Sequence, residues 1–352
     1  MTKPLIIMQS WDSPFNYAEL KNSSPRIGRY RQVPQPHIML LAGLYLCLSL
    51  LEATSAFRIC AFNVQAFGDS KSSDRGVMEV LVKILSRCDV CLIQEVRDSK
   101  GGAVPALVNN LNRFDRSHNY KFVASGRLGR GTYLEQYVFI YRSDVVDVRD
   151  QYQYPDTQKG DPDAFSREPF IVRFHSPHTE LQDLVLVPQH TTPKNATREI
   201  DELYDVFLEI RRMWRIQDVM FLGDFNAACG YVPKKDWPKI RLRSNPEFHW
   251  LIGDKTDTTV RDNTVCAYDR IVVHGDAFLS AIVPQSAKPF NFPREFRLTE
   301  EEALVISDHY PVEVELRLSS GQQEEHIHHY LIGISVAILL LSVMCGPSCI
   351  NG

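Results

Sequence analysis

Residues 218–229 read DVMFLGDFNAAC, and the acidic residue Asp224 comes directly behind a continuous apolar run. A run of this kind is typical of a strand that is covered on both faces of its sheet. Further runs of strand-forming residues recur along the chain, at 57–64, 90–96, 135–142, 183–190, 268–274 and 311–318. The pattern therefore predicts sheets with little exposed surface.

Two segments between these strands have apolar residues at helical spacing. They are 77–88, where Ser73 or Asp74 is placed to cap the N-terminus, and 199–214. Sheets that are each backed by helices form a layered α/β (α+β) sandwich. No repeat or linker interrupts the middle of the chain, so we expect one domain over residues 57–318.

The overall charge limits the classes of function. The chain has 352 residues, 44% hydrophobic and 23% charged, and a formal net charge of −4. This balance argues against a protein that holds nucleic acid through a large positive field, because such binding depends on neutralised phosphates. An enzyme that contacts a polyanion briefly needs only a few local arginines.

The N-terminal region has the features of a signal peptide. Residues 38–51 form an apolar run of about 14, too short to span a bilayer comfortably. Small residues allow cleavage after Ala56, so residues 1–56 are predicted to be a signal peptide with a long n-region. Whether residues 1–37 all belong to that n-region is open, and an uncleaved signal anchor is the alternative.

The C-terminal region predicts a lipid anchor. An apolar run of about 15 residues, 331–345, follows a polar spacer and the small triplet Ser319, Ser320 and Gly321. This order is the signal for a glycosylphosphatidylinositol (GPI) anchor, so residues 319–352 are predicted to be that signal. A transmembrane tail is the alternative. We expect the extracellular face of the plasma membrane, with the endoplasmic reticulum or lysosome as further locations.

The cysteines fit a secreted protein. Removing both ends leaves an odd number of them: Cys60, Cys88, Cys91, Cys229 and Cys266. One pair is expected to be bridged, and the residues do not say which. Cys88 and Cys91 lack a second pair that would complete a zinc site, so they are interpreted as buried thiols. Asn195 begins an N-glycosylation signal, Asn-Ala-Thr.

Polar residues occur repeatedly where strands end. In LVISDHYPVEVEL, residues 304–316, Asp308 and His309 separate two stretches that both read as strands. A simple turn is one interpretation, since Ser, Asp and Pro favour turns. The same placement recurs elsewhere, at Asn63, Glu95, His190 and Asp224. Strand ends can aim such groups into one cleft, which favours a catalytic site.

The chemistry of these residues suggests hydrolysis of a phosphate ester. Hard divalent cations prefer oxygen ligands, which four side chains offer: Glu95, Asp224, Asn226 and Asp308. His190 and His309 are proton carriers near neutral pH, and Glu135 and Asp269 could each hold one ring through its other nitrogen. Arg97 and Arg167 could offset developing negative charge.

Several sequence blocks together resemble the deoxyribonuclease I family. They include AFNVQAFG (61–68), LIQEVRDS (92–99), LGRGTYLEQYVF (128–139), FSREPF (165–170), HTTP (190–193), DVMFLGDFNAAC (218–229), IRLRS (240–244), CAYDRIVV (266–273) and SDHYPVEVEL (307–316). The resemblance implies a four-layer sandwich, the deoxyribonuclease I-like endonuclease/exonuclease/phosphatase fold, with two β-sheets flanked by helices. It also implies metal-dependent endonucleolytic cleavage of DNA that leaves 5′-phosphates. The opening block and the tail are most similar to the membrane-linked branch of that family.

The resemblance also implies a role for individual residues. His190 with Glu135, and His309 with Asp269, become two catalytic pairs. The residues implied to surround a Mg²⁺ or Mn²⁺ ion and the scissile phosphate are Glu95, Asp224, Asn226, Asp308 and Asn63. Those implied to contact DNA are Arg97, Tyr133 and Arg167. The resemblance further implies a disulfide between Cys229 and Cys266.

Calcium is implied at two places, one near Asp257 and Thr259 and the other near Asp163, Phe165 and Glu168. One departure is Gln65, where the family often has Arg, so one phosphate contact is missing. We expect a monomer that acts on DNA and meets the membrane through its lipid anchor, and actin binding is not assumed. The alternatives are a related phosphoesterase with the same fold and a non-catalytic surface protein.

Overall fold

The computed structural model describes residues 56–157 and 163–322, all of which belong to one compact unit. The predicted signal peptide, apart from Ala56, and the apolar tail lie outside the described residues. Within the described ranges, no helix is long and apolar enough to cross a membrane.

The strands form two six-stranded sheets. The first sheet has the order β11 (Lys288–Pro289), β12 (Val312–Leu316), β1 (Phe57–Phe67), β2 (Val90–Val96), β4 (Gln136–Arg142) and β3 (Tyr120–Ala124). The second has the order β5 (Asp147–Gln153), β6 (Phe170–His175), β7 (Asp183–Pro188), β8 (Val219–Asp224), β10 (Asp269–His274) and β9 (Phe248–Trp250). Strands β1 and β2 are parallel, as are β7 and β8, and the other neighbours are antiparallel.

Helices cover the outer face of each sheet. The first sheet packs against α2 (Arg75–Leu85), α3 (Ala103–Phe114), α7 (Phe292–Phe296) and α8 (Glu300–Ile306). The second sheet packs against α4 (Ala196–Trp214) and α5 (Arg241–Ser244). The remaining short helices are α1 (Asp69–Ser73) and α6 (Asp276–Ala281).

The inner faces of the two sheets pack against each other. Leu92 and Phe139 of the first sheet share a buried apolar cluster with Leu186 and Leu222 of the second. The rings of Phe139 and Phe174 meet edge to face, 5.6 Å apart, across this layer. The layers therefore run helix, sheet, sheet, helix, and the predicted sandwich is confirmed.

The segment before Asp308 differs from its prediction. The sequence reads residues 304–306 as a strand, but they form the last turn of α8. The helix begins at a capping box. The Thr299 hydroxyl accepts from the Glu302 amide, and the Glu302 carboxylate accepts from the Thr299 amide. Ala303 and Ile306 are buried while Val305 is 53% exposed, which is helical rather than alternating spacing.

The cysteines also differ in part from the prediction. Cys229 is bonded to Cys266, as the family resemblance implies, but Cys60 is bonded to Cys88 as well. The interpretation of Cys88 as a buried thiol is therefore wrong, while Cys91 is free and buried. Cys91 and Cys60 are neighbours across β1 and β2, and the sulfurs of the three cysteines lie within 4.8 Å of one another. The sequence could not show which of them pairs.

Candidate active site

The predicted catalytic and ligating residues converge at one edge of the sandwich. Parallel neighbours end at the same edge, and antiparallel neighbours begin there. Glu95 and Asp224 lie at the carboxyl ends of β2 and β8, and Asp269 begins β10 opposite Asp224. Glu135 directly precedes β4, and Asp308 and His309 precede β12. The topology thus explains why residues far apart in sequence meet.

Irregular backbone at these strand ends sets the directions of the side chains. Gln65, Ala66, Glu95 and Asn226 have φ values of 51°, 55°, 56° and 48°. The pairing of β1 with β2 shifts register between Asn63 and Phe67. Bulges and left-handed residues are strained for non-glycine side chains and are often found at functional sites, where they re-aim a residue.

The first histidine is held by a buried carboxylate. His190 Nδ1 lies 2.6 Å from Glu135 Oε1, and Arg167 Nε lies 3.1 Å from the same oxygen. Arg167 also donates to the His190 carbonyl from Nε and Nη2, at 2.9 and 2.8 Å. Burial alone would lower the pKa of His190, but the Glu135 carboxylate outweighs it and raises the pKa overall.

The second histidine has an equivalent arrangement. His309 Nδ1 lies 2.8 Å from Asp269 Oδ2, and the Asp269 amide donates to the Thr258 hydroxyl. Burial opposes the charged form of His309, but the Asp269 and Asp224 carboxylates outweigh it and raise its pKa to about 10. Both histidines therefore keep Nδ1 occupied and direct Nε2 elsewhere.

The two imidazoles face one carboxylate. His190 Nε2 and His309 Nε2 lie 3.5 and 3.7 Å from the same oxygen, Asp224 Oδ2. Burial would raise the pKa of Asp224, but the His309 and His190 charges hold it below its usual value. Asp308 Oδ1 lies 4.0 Å from His309 Nε2. Two proton carriers therefore flank one acidic centre.

The oxygen donors beside this centre fit a hard divalent cation. Asn63 Nδ2 donates to Glu95 Oε1 at 3.0 Å and to Asp224 Oδ2 at 3.2 Å, so the amide ties the two acids together. Asn226 donates to Asp224 from its backbone and to the Thr191 carbonyl from its side chain. With Asp308, these side chains form an oxygen-rich, acidic set that suits Mg²⁺ or Mn²⁺ rather than a softer metal.

A buried glutamine that the sequence reasoning missed links the two sheets. Gln94 donates to the Gln189 carbonyl at 2.7 Å and accepts from the Asp224 amide at 2.9 Å. Gly223 has a φ of 127°, and a Cβ there would meet the Gln189 oxygen at 2.5 Å, so this approach requires glycine. The sequence could have indicated this role, because Gln94 is a polar residue inside the otherwise apolar run of β2.

Lys71 is a second residue that the sequence reasoning missed. Its Nζ donates to the Val64 carbonyl at 2.8 Å and to the Ile306 carbonyl at 2.7 Å. It thus ties the end of β1 to the end of α8, two residues before Asp308. Burial lowers the pKa of Lys71 to about 8, against the opposing charges of Glu95 and Asp308. Nothing in the surrounding sequence, FGDSKSS, distinguishes it from a surface lysine.

The three residues implied to contact DNA occupy different positions. Tyr133 is 41% exposed, and the exposed Arg97 guanidinium lies 4.3 Å from the centre of its ring. The Tyr133 hydroxyl lies 3.5 Å from Glu95 Oε2, so this pair borders the site. Arg167 is 7% exposed and lies beneath His190. Its supporting contacts were not anticipated, and its contact with DNA stays a prediction.

One of the two implied calcium positions gains a ligand. Asp163 and Glu168 join Asp156, and their carboxylate oxygens lie within 4.8 Å of one another. Asp156 is buried, and its Oδ1 has no hydrogen-bond partner among the described residues. A cation ligand would satisfy this oxygen. Sequence reasoning missed Asp156, although it lies in the same acid-rich stretch.

The other calcium position is less acidic. Asp257 Oδ1 accepts from the Thr259 amide at 3.1 Å, from the Thr259 hydroxyl at 2.7 Å and from the Cys266 amide at 3.2 Å. These donors already stabilise the carboxylate, so the position is explained as a turn. Both calcium sites stay predictions.

The predicted modification sites lie at the surface. Asn195 is exposed and ends a short 3₁₀ turn, Pro193–Asn195. Ser320 and Gly321 are exposed as well, whereas the Ser319 amide donates to the His178 carbonyl at 2.8 Å. Accessibility is compatible with modification and does not test it.

Comparison with known proteins gives the family. The family model described as Endonuclease/Exonuclease/phosphatase family matches residues 60–309. Human deoxyribonuclease gamma is 50% identical over 280 residues, which cover 79% of this chain and 92% of that protein. The chain belongs to the deoxyribonuclease I family. This membership confirms the resemblance in the sequence blocks.

Other members of the deoxyribonuclease I family match almost equally well. Human deoxyribonuclease-1-like 1 is 49% identical over 302 residues, 86% of this chain and 96% of its own length. Rat deoxyribonuclease-1 is 50% identical over 279 residues, 79% of this chain and 98% of its own length. These nearly equal identities do not assign the chain to one branch of the family.

Solved structures support the fold independently. An endonuclease/exonuclease/phosphatase family protein from Leptotrichia buccalis has a TM-score of 0.53 at 14% identity, over 74% of this chain and all of its own. A Bacteroides vulgatus protein of the same description has a TM-score of 0.51 at 15% identity, over 76% of this chain and all of its own. At such low identity the likeness concerns the fold alone.

Proposed function

We propose that this chain is a divalent-metal-dependent endodeoxyribonuclease that hydrolyses DNA phosphodiester bonds and leaves 5′-phosphate ends. The observation that carries the proposal is the pair of histidines whose Nε2 atoms lie 3.5 and 3.7 Å from one Asp224 oxygen, each with a carboxylate on its Nδ1. The relatives compared above are all named deoxyribonucleases, which supports DNA as the substrate.

The two histidine pairs supply general acid and base catalysis. A carboxylate on Nδ1 fixes the ring and its tautomer, which leaves Nε2 to exchange a proton with a reacting group. One Nε2 takes a proton from the attacking water, and the other gives a proton to the departing 3′-oxygen. The water oxygen bonds to phosphorus as the bond to the 3′-oxygen breaks, so the phosphate stays on the 5′ side.

The oxygen-rich set beside the histidines is proposed to hold Mg²⁺ or Mn²⁺. The residues that would hold the ion or contact the scissile phosphate are Glu95, Asp224, Asn226, Asp308 and Asn63. A bound divalent cation supplies positive charge that stabilises the phosphorane-like transition state. Arg167 contributes a permanent positive charge behind this set, and Lys71 adds a second while it is protonated. Arg97 and Tyr133 border the open side of the set.

A second ion is proposed for the acidic cluster of Asp156, Asp163 and Glu168. Calcium accepts several carboxylate oxygens in flexible geometry, which suits this arrangement. The uncompensated Asp156 oxygen supports the proposal. The cluster follows β5 and precedes β6, so the ion would stabilise the loop that leads to Arg167.

The location of the enzyme is proposed to be the extracellular face of the plasma membrane, reached through the secretory pathway. Two disulfides are compatible with an oxidising compartment, where such bonds persist. The apolar tail would be exchanged for a GPI anchor near Ser319, Ser320 or Gly321. We propose that the enzyme works there as a monomer.

Plasmid nicking tests the proposed reaction. The secreted protein is incubated with supercoiled plasmid and Mg²⁺ or Mn²⁺, with and without a chelator. We expect nicked circles that DNA ligase reseals without prior treatment, because ligase requires a 5′-phosphate next to a 3′-hydroxyl. Undiminished nicking in chelator would contradict the metal requirement, and nicks that need a kinase before sealing would contradict the assigned product.

A further inference from the structure

A second concave surface lies next to the catalytic edge. This cavity has a volume of about 310 Å³, and its lining includes Arg97, Arg127, Gly68, Ser70 and Ser99. We call it the arginine pocket. Arg97 connects it to the active site, because its guanidinium stacks on Tyr133, whose hydroxyl lies 3.5 Å from Glu95. The catalytic residues themselves do not line the arginine pocket.

The two arginines of this pocket lack acidic partners. Neither Arg97 nor Arg127 forms an ion pair with any described residue, whereas Arg87, Arg142 and Arg241 each pair with a carboxylate. Arg127 is exposed, and its Nη2 donates a hydrogen bond to the Leu134 carbonyl at 3.3 Å. That contact orients the group without neutralising its charge.

The other polar groups of the pocket also leave it receptive to an anion. Its acidic lining residue, Asp69, is already neutralised by Lys100 at 2.5 Å. The Ser70 and Ser99 hydroxyls have no hydrogen-bond partner within the described part of the chain. Guanidinium groups and free hydroxyls are the donors that proteins use to bind phosphate oxygens.

Two backbone segments that line the arginine pocket, at Gly68 and at Arg97, lie in direct contact. A Cβ on Gly68 would lie 2.9 Å from the Arg97 carbonyl oxygen, so glycine lets the two segments touch. This contact joins the segment after β1 to the segment after β2. The position of the Arg97 backbone is therefore fixed on the same two strands that carry Asn63 and Glu95.

We infer that the arginine pocket binds a backbone phosphate of the DNA substrate other than the one that is cleaved, and that Arg127 is a phosphate-binding residue of this subsite. The inference rests on the proposed function. It explains how a chain with a net charge of −4 retains duplex DNA although Gln65 cannot supply a cationic contact. Positive charge at this one point replaces a wide basic surface.

The test compares Arg127→Ala with Arg116→Ala. Arg116 is also exposed and lies in the turn between α3 and β3, outside the arginine pocket, so both variants remove one surface charge. The slope of log(kcat/KM) against log[salt] is measured for plasmid cleavage. Loss of one phosphate contact should make the slope about 0.9 less steep. We expect this change, with a severalfold higher KM, in Arg127→Ala and neither effect in Arg116→Ala.

A small phosphodiester provides the second readout. Bis(p-nitrophenyl) phosphate has no neighbouring phosphate, so we expect Arg127→Ala to hydrolyse it at the wild-type rate and Arg127→Lys to recover most of the salt slope on DNA. Equal slopes for the Arg127→Ala and Arg116→Ala variants, in a wild-type enzyme that cleaves DNA, would overturn the subsite alone. A wild-type enzyme without activity on DNA would overturn the proposed function instead.

Discussion

Glu135 illustrates how one side chain serves two neighbours. Its Oε1 lies 2.6 Å from His190 Nδ1 and 3.1 Å from Arg167 Nε, and its other oxygen, Oε2, is buried without a partner among the described residues. Burial alone would raise the pKa of Glu135, but the positive charge of His190 and that of Arg167 lower it overall. The carboxylate therefore remains ionised and sustains the raised pKa of His190.

The first prediction concerns the pH dependence of catalysis. Glu135→Gln keeps the shape of the side chain and removes its charge, so the pKa of His190 should fall. The limb of the pH–rate profile that reports His190 should therefore move to lower pH, whether this residue acts as the acid or the base. We also expect kcat to fall by roughly 10-fold or more. The profile of plasmid cleavage in Mg²⁺ measures both.

Glu180→Gln is the matched control for this change, because Glu180 is exposed and lies in the loop between β6 and β7, whereas His190 follows the other end of β7. Its profile should coincide with that of the wild type. A Glu135→Gln enzyme whose limbs stay in place would show that Glu135 does not set the protonation of His190.

The second prediction concerns His309 itself. His309→Ala removes a proton carrier whose Nε2 lies 3.7 Å from Asp224, and a general acid or base contributes about 10²-fold or more to the rate. We expect kcat for plasmid cleavage to fall by about that factor. His249→Ala, in the short edge strand β9, should keep wild-type activity. Full activity in His309→Ala would remove this residue from the catalytic assignment.

The sequence predicted most of the interior strands and the helices α2 and α4, because apolar periodicity is strong there, but it did not predict the interior strand β6 or the 12-residue helix α3. Strand β2 has the expected limits of 90–96, and α4 begins three residues before its predicted start at 199. Of the two predicted caps of α2, Ser73 and Asp74, it is the Asp74 side chain that accepts from the Val77 amide. The prediction was wrong at α8 because three consecutive apolar residues are too few to distinguish helical from strand spacing. This segment is helical because the capping box at Thr299 starts a helix there.

The candidate site shows the same division. Residues at strand ends, such as His190 and Asp224, could be identified from the sequence because the apolar runs before them predict the strands. Lys71, Gln94 and Asp156 were missed, since each acts through contacts with segments distant in sequence. Gln94, for example, joins β2 to residues 189 and 224. Such pairings appear only after the two sheets pack.

The third prediction tests the start of α8. Thr299→Ala removes the hydroxyl that accepts from the Glu302 amide at 3.2 Å. Loss of an N-cap hydroxyl should lower the free energy of unfolding by about 1 kcal/mol. Chemical denaturation of both proteins measures the difference. Ser280→Ala is a suitable control, because Ser280 is exposed within α6 and its hydroxyl forms no hydrogen bond with a described residue. Equal losses in both variants would show that the cap adds nothing.

The fourth prediction concerns the disulfide between Cys229 and Cys266. It joins the segment after β8 to the segment before β10, with a sequence separation of 37. In the chain-entropy account, a bridge of this span stabilises the fold by about 4 kcal/mol. The double variant Cys229→Ser with Cys266→Ser should therefore unfold at clearly lower denaturant than the wild type. An unchanged midpoint in the double variant would contradict the prediction.

At the scale of the whole molecule, the acidic residues of the candidate site have arginines beside them that form no ion pair with the described residues. The formal net charge is −4, yet the arginines Arg97 and Arg127 meet no carboxylate in the described ranges. Elsewhere, arginines such as Arg58 and Arg142 form ion pairs that cancel their fields. The acidic set that is proposed to bind the metal therefore lies beside uncompensated positive charge, which suits brief contact with a polyanion rather than tight storage of it.

The fifth prediction concerns attachment to the membrane. An apolar run of about 15 residues reaches only about 22 Å as a helix, short of the hydrocarbon core of about 30 Å. A removable tail avoids that mismatch, and Ser320 and Gly321 are exposed just after the last strand, β12. We therefore expect phosphatidylinositol-specific phospholipase C to release both the protein and its nuclease activity from intact expressing cells.

The matched control for release is a chain in which a transmembrane helix of about 20 apolar residues replaces the 331–345 run, since a helix of that length spans the core and resists the lipase. It should stay on the cells under the same treatment. Mass spectrometry of the released wild-type protein should show a C-terminus near residues 319–321 and no peptide from 331–345. If the wild-type protein stays on the membrane with that peptide intact, the mismatch is tolerated and the tail itself is the anchor.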